Sequence, residues 1–296
     1  MATPGGTLSG VLASLDRPGF TDGGLKNWSP APYLSVLRCY REHCEKEVAR
    51  VNRNLNGLSD DDKACLVNKP EEQVKRLEEA VAANGIVLDK LIELLEKASE
   101  EFVAAASANV HAAVPVGTKP GQILLQTLVR EWSAEGLQER KVCHDKLLAA
   151  LDEHSKQGSI DAYRVVVPGS SVGRLAFEVQ SRGHTVEACE GRVLQFFAAE
   201  LIRAHGSEIG ALRPQPFAVN LCNRLRYLDN VRTIAMPDVP VASDSLPVAK
   251  FGEFTHLYDK SATKDSFDAL LTSFALDVSP SAFRFVRVAA HVVKAG

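Results

Sequence analysis

The sequence lacks the features that mark disulfide-rich, membrane-spanning or nucleic-acid-binding proteins. Its six cysteines are scattered without a C-x-x-C pair, which disfavours a disulfide framework and indicates reduced thiols in the cytoplasm or the nucleus. Cys143 and His144 are adjacent and would point to different helix faces, so we expect no metal site. No apolar run approaches the roughly 20 residues of a membrane span. The net charge is −3 and no basic stretch stands out, so we expect neither a nucleic-acid nor a membrane partner.

The composition allows one large domain with an appendage, because 45% of the residues are hydrophobic. Residues 1–28 are rich in Gly, Ser, Thr and Pro with little periodicity, which predicts a disordered arm. Residues 29–118 predict a helical region. Within it, Asn84-Gly85 would end one helix before another begins near Val87. Residues 119–296 predict an α/β domain.

The α/β domain is organised around residues 164–190, which predict strand, glycine turn, helix and strand. Val165 to Val167 form an apolar, β-branched run that suits a strand buried on both faces of a parallel sheet. Gly169 and Gly173 allow a tight turn and close approach to a ligand. Glu190 ends the second strand, where its carboxylate can accept hydrogen bonds from ribose hydroxyls. The plain alternative is a glycine turn in any α/β protein with a solvated glutamate.

The glycine pattern favours one kind of nucleoside ligand over another. A dinucleotide fingerprint requires glycines where this chain has Ser171 and Arg174, which disfavours a nucleotide-dependent oxidoreductase. The surviving pair, Gly169 and Gly173, is the G-x-x-x-G remnant of the methyltransferase pattern G-x-G-x-G. S-adenosylmethionine has a ribose but no pyrophosphate, so it does not need a helix N-terminus shaped for phosphate.

The same stretch resembles a known family. VVVPGSSVGRLAFEV at residues 165–179 is similar to the motif of the carnosine N-methyltransferases, whose members read close to V-P-G-A-G-L-G-R-L-A. Similarity runs from about Tyr33 to Gly296. The other matching segments are Trp132-Ser133, Gly136 and Glu139-Arg140 (W-S-x-x-G-x-x-E-R), Pro237-Asp238-Val239 (P-D-V), and Phe267-Asp268 with Asp277 (the next strand and its terminal acid).

The resemblance implies an S-adenosylmethionine-dependent N-methyltransferase that methylates an imidazole nitrogen of a histidine-containing dipeptide, carnosine to anserine. It implies a Rossmann-like sheet of order 3-2-1-4-5-7-6, of which this sequence supplies four strands. The fourth strand would then be an exposed edge, which favours aggregation and little turnover. The resemblance also implies that the helical region helps to form a homodimer.

The resemblance also assigns roles to individual residues. Arg130 would reach the methionine end of the cofactor, since a guanidinium can grip a carboxylate bidentately. The remaining cofactor-binding residues would be Gly169, Gly173, Glu190, Glu253, Phe254, Ser273 and Phe285. Glu253 and Phe254 would contact the adenine. The plain alternative for Arg130 and Glu253 is a solvated surface side chain.

Asp277 is the expected catalytic residue. A carboxylate that is hydrogen-bonded to one imidazole N–H fixes the tautomer and makes the other nitrogen a better nucleophile. The alternative is a strand-end aspartate that caps the next helix. Ser171, Pro280 and Phe285 depart from the family pattern, so a degenerate cofactor-binding relative without turnover remains the second hypothesis.

Two further strands and a last helix are predicted after Glu190. The third strand is expected over Val231 to Met236 and the fourth over Phe267 to Leu276. The last helix is expected over Ala282 to Val293. Phe283, Val286, Ala290 and Val293 would lie on its apolar face.

Overall fold

The computed structural model describes residues 29–98, 119–158, 162–220, 226–277 and 281–295, together with Phe102, Val103, Ala106 and Ser279. The arm predicted over residues 1–28 lies outside these ranges, as does Pro280. The predicted domain boundary at residues 118–119 stays a prediction. None of the described helices combines the length and apolarity that a bilayer span requires.

A four-stranded parallel sheet forms the centre of the α/β region, as the sequence predicts. Its strands are β1 (Arg164–Pro168), β2 (Thr185–Glu190), β3 (Lys250–Phe251) and β4 (Ala269–Leu270), in the order β3-β2-β1-β4. β1 pairs with β2 over its whole length, and Val165 and Val166 pair with β4. Because all pairs are parallel, the carboxyl ends of the four strands meet at one edge of the sheet.

The third strand predicted over Val231 to Met236 is wrong. This segment makes only an isolated antiparallel bridge, between Met236 and Leu212. The third strand is Lys250–Phe251, which pairs with the end of β2. An apolar run bounded by a proline predicts a strand equally well in either place, and only tertiary pairing with β2 distinguishes the two.

Over the described residues 29–98, the helical region contains two long antiparallel helices with a short helix between them. They are α1 (Ala31–Asn56), α2 (Asp60–Ala64) and α3 (Pro70–Glu96). The side chain of Ser59 caps α2 by accepting a hydrogen bond from the Asp62 backbone N–H. Apolar residues at helical spacing, such as Leu37 and Tyr40, are buried in a core that continues into the sheet.

The helix end predicted at Asn84-Gly85 is also wrong, because α3 runs straight through both residues. Asn84 is fully buried, donating to the Tyr40 hydroxyl and to the Gln215 backbone oxygen, each at 2.8 Å. Its Oδ1 accepts the Gln215 backbone N–H at 2.7 Å. Asn84 therefore joins the helical region to the α/β region, a role that local propensity does not reveal.

Among the described residues from 119 onward, seven further helices lie around the sheet and its loops. They are α4 (Pro120–Trp132), α5 (Leu137–Arg140), α6 (Lys146–Gln157), α7 (Arg174–Gln180), α8 (Val193–His205), α9 (Phe254–Tyr258) and α10 (Ala282–Val292). A π turn, Lys141–Asp145, joins α5 to α6. Short 3-10 turns lie at Ala134–Gly136, Tyr227–Asp229 and Ser261–Thr263.

β4 lies at the edge of the described sheet and is shorter than predicted. Only Ala269 and Leu270 pair with β1, and the chain then turns away through Phe274 at φ +54°. The face predicted for α10 is also wrong. Phe283 is 82% exposed and Val286 is exposed, whereas Phe285, Val288 and Val292 are buried. α10 therefore presents an apolar strip to solvent.

We expect this exposed strip to drive self-association. Replacing Phe283 and Val286 by glutamate should lower the self-associated fraction in sedimentation velocity, because two charges cannot be buried in a contact between copies at low cost. Phe283→Leu, which keeps the surface apolar, is the matched control and should behave as the parent chain does. Equal sedimentation of all three proteins would contradict the prediction.

Candidate active site

A cavity of ≈ 350 Å³ opens at the carboxyl edge of the sheet, where ligands bind in open α/β folds. The loop after β1, the end of α4, the π turn and the segment after β4 all contribute side chains to it. The lining residues are Ile123, Thr127, Arg130, Glu131, His144, Val167, Gly169, Ser170, Ser171, Leu175, Arg192, Gln195, Ser273, Phe274 and Asp277. Four predicted site residues are therefore brought together directly: Arg130, Gly169, Ser273 and Asp277.

The loop after β1 has the tight geometry that its glycines predict. Gly169 and Gly173 have φ of +62° and +89°, and Ser171 between them has φ of +53°. A Cβ on Gly169 would lie 2.5 Å from the Cβ of Ala275, so a side chain does not fit there. Gly173 lies behind the loop against Leu246 and does not line the cavity.

Glu190 ends β2 and is almost completely buried, at 2% exposure. Its Oε2 accepts the Ser171 N–H at 2.8 Å, and its Oε1 accepts the Arg192 N–H at 2.8 Å and Nε–H at 3.1 Å. A carboxylate has about four acceptor positions, so these three bonds leave about one for a ligand. Arg192 lines the cavity, whereas Glu190 itself does not.

Arg130 and Glu131 lie in the last turn of α4 and form part of the cavity wall. The Nε–H of Arg130 donates to Glu131 Oε1 at 2.8 Å, and the Arg130 guanidinium carbon lies 5.9 Å from the centroid of the Phe274 ring. Glu131 is buried, whereas Arg130 is one-third exposed. The wall therefore carries a cation and an anion side by side.

His144 projects from the π turn and is buried against Glu131, with 3.9 Å between its Nε2 and Glu131 Oε2. Burial lowers the pKa of His144, and the Arg140 and Arg174 cations lower it further, although Glu131 opposes them. Its Nδ1 has no hydrogen-bond partner, and neither has the buried hydroxyl of Ser170 on the facing loop. Among the described residues, no group of three or more His, Cys, Asp or Glu could hold a metal ion.

The segment after β4 forms the opposite wall. The Thr272 hydroxyl donates to the Pro168 backbone oxygen at 3.0 Å and so fixes this segment next to the end of β1. Ser273 is half-buried, and Asp277 is exposed at the rim of the cavity. An aspartate in this position can meet a molecule that enters from solvent.

Glu253, Phe254 and Phe285 do not line the cavity. Glu253 caps α9, accepting hydrogen bonds from the His256 N–H at 3.1 Å and the Thr255 hydroxyl at 2.6 Å. Phe254 is buried against Phe285, with 4.8 Å between ring centroids. The Gly252 N–H donates to the Glu190 backbone oxygen at 3.0 Å, which places the start of this segment next to β2.

The motif residues of the sequence meet in a buried ionic cluster behind the cavity. Asp238 accepts hydrogen bonds from Arg140 through Oδ2 and from Arg174 through Oδ1, each at 2.5 Å. Arg140 also donates to the backbone oxygens of Arg130 and Ser133, at 2.7 and 2.8 Å. The W-S, E-R, G-R and P-D segments therefore form a scaffold that positions the end of α4.

Two other motif residues have packing roles in the same scaffold. The indole N–H of buried Trp132 donates to the Val172 backbone oxygen at 2.8 Å, which joins α4 to the loop after β1. A Cβ on Gly136 would lie 1.9 Å from the Arg130 backbone oxygen, so only glycine fits.

Sequence reasoning missed Glu131, His144, Arg192 and Ser170 as cavity residues. Glu131 lies between Arg130 and the W-S motif, so its place in the sequence could have indicated that it lines the cavity. His144 carries no sequence signal, because the π turn that directs it inward is not readable from local periodicity.

A family model described as "Carnosine N-methyltransferase" matches residues 115–296, which is more than half of the chain. The chain belongs to the carnosine N-methyltransferase family. A carnosine N-methyltransferase of Rattus norvegicus is 23% identical over 274 residues, covering 89% of this chain and 66% of that protein. Proteins of the same name match from Schizosaccharomyces pombe (25% identical, 83% of this chain, 68% of that protein) and Dictyostelium discoideum (28%, 58% and 38%).

The chain therefore spans about two thirds of the rat protein's length and less of the Dictyostelium protein's. The family match confirms the resemblance that the motifs indicate, and the α/β fold with its N-terminal helices agrees with it.

We expect the Asp238 cluster to be the most costly ionic contact to break. Asp238→Ala leaves two buried guanidinium groups without their shared partner, which should lower the free energy of unfolding by about 3–5 kcal/mol in denaturant titration. Glu96→Ala removes the exposed pair with Arg38 and should cost at most about 1 kcal/mol. Equal costs for the two variants would contradict a structural role for the cluster.

Proposed function

We propose that the chain is an S-adenosylmethionine-dependent N-methyltransferase whose substrate is a histidine-containing dipeptide, with carnosine converted to anserine. The observation that carries the proposal is the convergence of the Gly169 loop, Ser273 and Asp277 on one cavity in a chain of this family. The substrate class comes from the names of the matched relatives.

The cavity fits the cofactor in size and in polarity. Its volume lies in the range of small-molecule sites, and its walls offer Arg130 for a carboxylate and Glu131 for an ammonium group. The unpartnered Ser170 hydroxyl and His144 Nδ1 are buried polar atoms that a bound ligand would satisfy. The bound cofactor would supply a methyl group on a positively charged sulfur.

The residues proposed to hold the cofactor lie along the edge of the sheet. Arg130 would bind the carboxylate of the amino-acid end, and Gly169 and Gly173 would shape the loop beneath it. Glu190 would bind the ribose with its remaining acceptor position. Glu253 and Phe254 would contact the adenine, and Ser273 and Phe285 would complete the cofactor-binding set. Of these four residues, Ser273 alone lines the cavity.

Asp277 would orient the imidazole of the substrate. Its carboxylate at the rim can accept one ring N–H, which fixes the tautomer and leaves the other nitrogen as a neutral nucleophile. Holding that nitrogen in line with the methyl carbon lowers the barrier to methyl transfer, because the two reacting groups no longer have to lose translational and rotational entropy in the chemical step.

A second candidate function is cofactor binding without turnover. It is favoured by the engagement of both Glu190 oxygens within the protein and by the burial of Phe285, which carries no hydroxyl group. Such a protein would bind S-adenosylhomocysteine and leave carnosine unmethylated. We further propose a cytoplasmic or nuclear location and a homodimer formed through the helical region.

Asp277→Asn should lower methyl transfer to carnosine and the affinity for carnosine, while the Kd for S-adenosylhomocysteine stays nearly unchanged. The amide still accepts a hydrogen bond but lacks the charge that polarises the ring. Mass spectrometry and calorimetry measure the two effects. Asp265→Asn, the same change in an exposed turn before β4, is the control. Unchanged turnover and carnosine binding in Asp277→Asn would exclude the proposed role of Asp277. A capping role would not replace it, because the Ser281 side chain caps α10 by accepting the Arg284 N–H.

Glu190→Ala should weaken S-adenosylhomocysteine binding by about 1.5–3 kcal/mol in calorimetry, the scale of hydrogen bonds to a charged group. Glu187→Ala on the same strand is the matched control, because it removes contacts with Lys250 and Tyr258 away from the cavity. It should lower stability and leave the affinity unchanged. Equal affinity of the parent and Glu190→Ala would remove Glu190 from the site, and tight NAD binding would overturn the methyltransferase proposal.

A further inference from the structure

His144 combines three unusual features in one place. It projects from a π turn, a rare interruption of helical geometry that is frequent at functional sites. Its side chain is more than nine-tenths buried, and it lines the proposed cofactor cavity. Its Nδ1 is nevertheless without a hydrogen-bond partner, a state that buried polar atoms rarely keep in a folded protein.

The surroundings favour one ring nitrogen of His144 as the hydrogen-bond acceptor. Glu131 Oε2 lies 3.9 Å from Nε2, so the tautomer with hydrogen on Nε2 directs that hydrogen toward a carboxylate. Nδ1 then carries the lone pair, and it is the unpartnered atom. The cavity wall thus presents a neutral acceptor beside Glu131 and Arg130.

We propose that His144 Nδ1 accepts a hydrogen bond from the primary ammonium group at the amino-acid end of the cofactor, with Glu131 holding the ring in the accepting tautomer. The inference rests on the proposed function. An amino acid carries one cation and one anion about a single carbon. Arg130 suits the carboxylate, and the Glu131 side of the wall suits the ammonium, so the pair of recognition groups matches the charge pattern of the ligand.

The proposal requires a neutral ring, and the structure supplies one. The groups that face His144 are Glu131 from α4, Arg140 from α5, and Arg174 and Glu178 from α7. Burial is the largest influence and lowers the pKa of His144 from its usual value of about 6.5, so the ring is neutral at pH 7. A protonated ring could not accept from an ammonium and would repel it, so affinity should fall as the pH falls.

Two ligands separate this contact from the rest of the site. S-adenosylhomocysteine carries the ammonium, and 5′-methylthioadenosine lacks the whole amino-acid end. By calorimetry at pH 7.5, His144→Phe should raise the Kd of S-adenosylhomocysteine about ten- to a hundredfold and leave that of 5′-methylthioadenosine unchanged. His144→Gln, which keeps an acceptor, should restore much of the affinity. His154→Phe on α6, outside the cavity lining, is the control and should bind as the parent does.

The pH profile of the parent protein tests the same contact without any substitution. As the pH is lowered from about 8 through the depressed pKa of His144, affinity for S-adenosylhomocysteine should fall, and affinity for 5′-methylthioadenosine should not. His144→Gln should lose the difference. Equal losses for both ligands in His144→Phe, or a flat profile for S-adenosylhomocysteine, would overturn the inference. Failure of the parent to bind either ligand would instead overturn the proposed function.

Discussion

The shared carboxylate of Asp238 is the contact on which the candidate site depends. It lies between the Arg140 and Arg174 guanidinium groups, which are almost fully buried. Removing such charges from water costs several kcal/mol each unless geometry and hydrogen bonds offset the loss. The Asp238 carboxylate is the shared hydrogen-bond acceptor of both guanidinium groups. Because Arg140 also binds the Arg130 backbone, the cluster determines where the end of α4 lies.

The position of α4 in turn determines the polarity of the cavity. Arg130 and Glu131 are consecutive, so one helix end contributes a cation and an anion to the same wall. Trp132, the next residue, is anchored to the loop after β1 and prevents this wall from separating from the glycine turn. The Asp238 cluster and the indole contact thus involve residues of the family motifs. Arg130 and Glu131, which line the cavity, directly precede the W-S motif.

The parallel sheet supplies the other half of the site. Strand pairing brings the Gly169 loop, Glu190 and the segment after β4 to one edge, and Glu190 ties the first two together through the Ser171 and Arg192 N–H groups. Ser171 adopts the left-handed conformation that glycine favours, and its N–H reaches Glu190 in that conformation. The loop is therefore a tight turn with positive φ at Gly169, Ser171 and Gly173, although the middle glycine of the family motif is a serine.

Local sequence determined β1, β2 and the helices around them, because a valine run, glycine turns and regular apolar spacing encode these elements within a few residues. The resemblance to the family also indicated Arg130, Gly169, Ser273 and Asp277, which share the cavity. Only tertiary structure decided the third strand, the course of α3 through Asn84-Gly85, the buried face of α10 and the inward direction of His144. These features depend on partners distant in the chain: the end of β2, the Gln215 backbone, the core beside β4 and the carboxylate of Glu131. Local propensity does not encode these distant partners, because the contacts with them form only when the chain has folded.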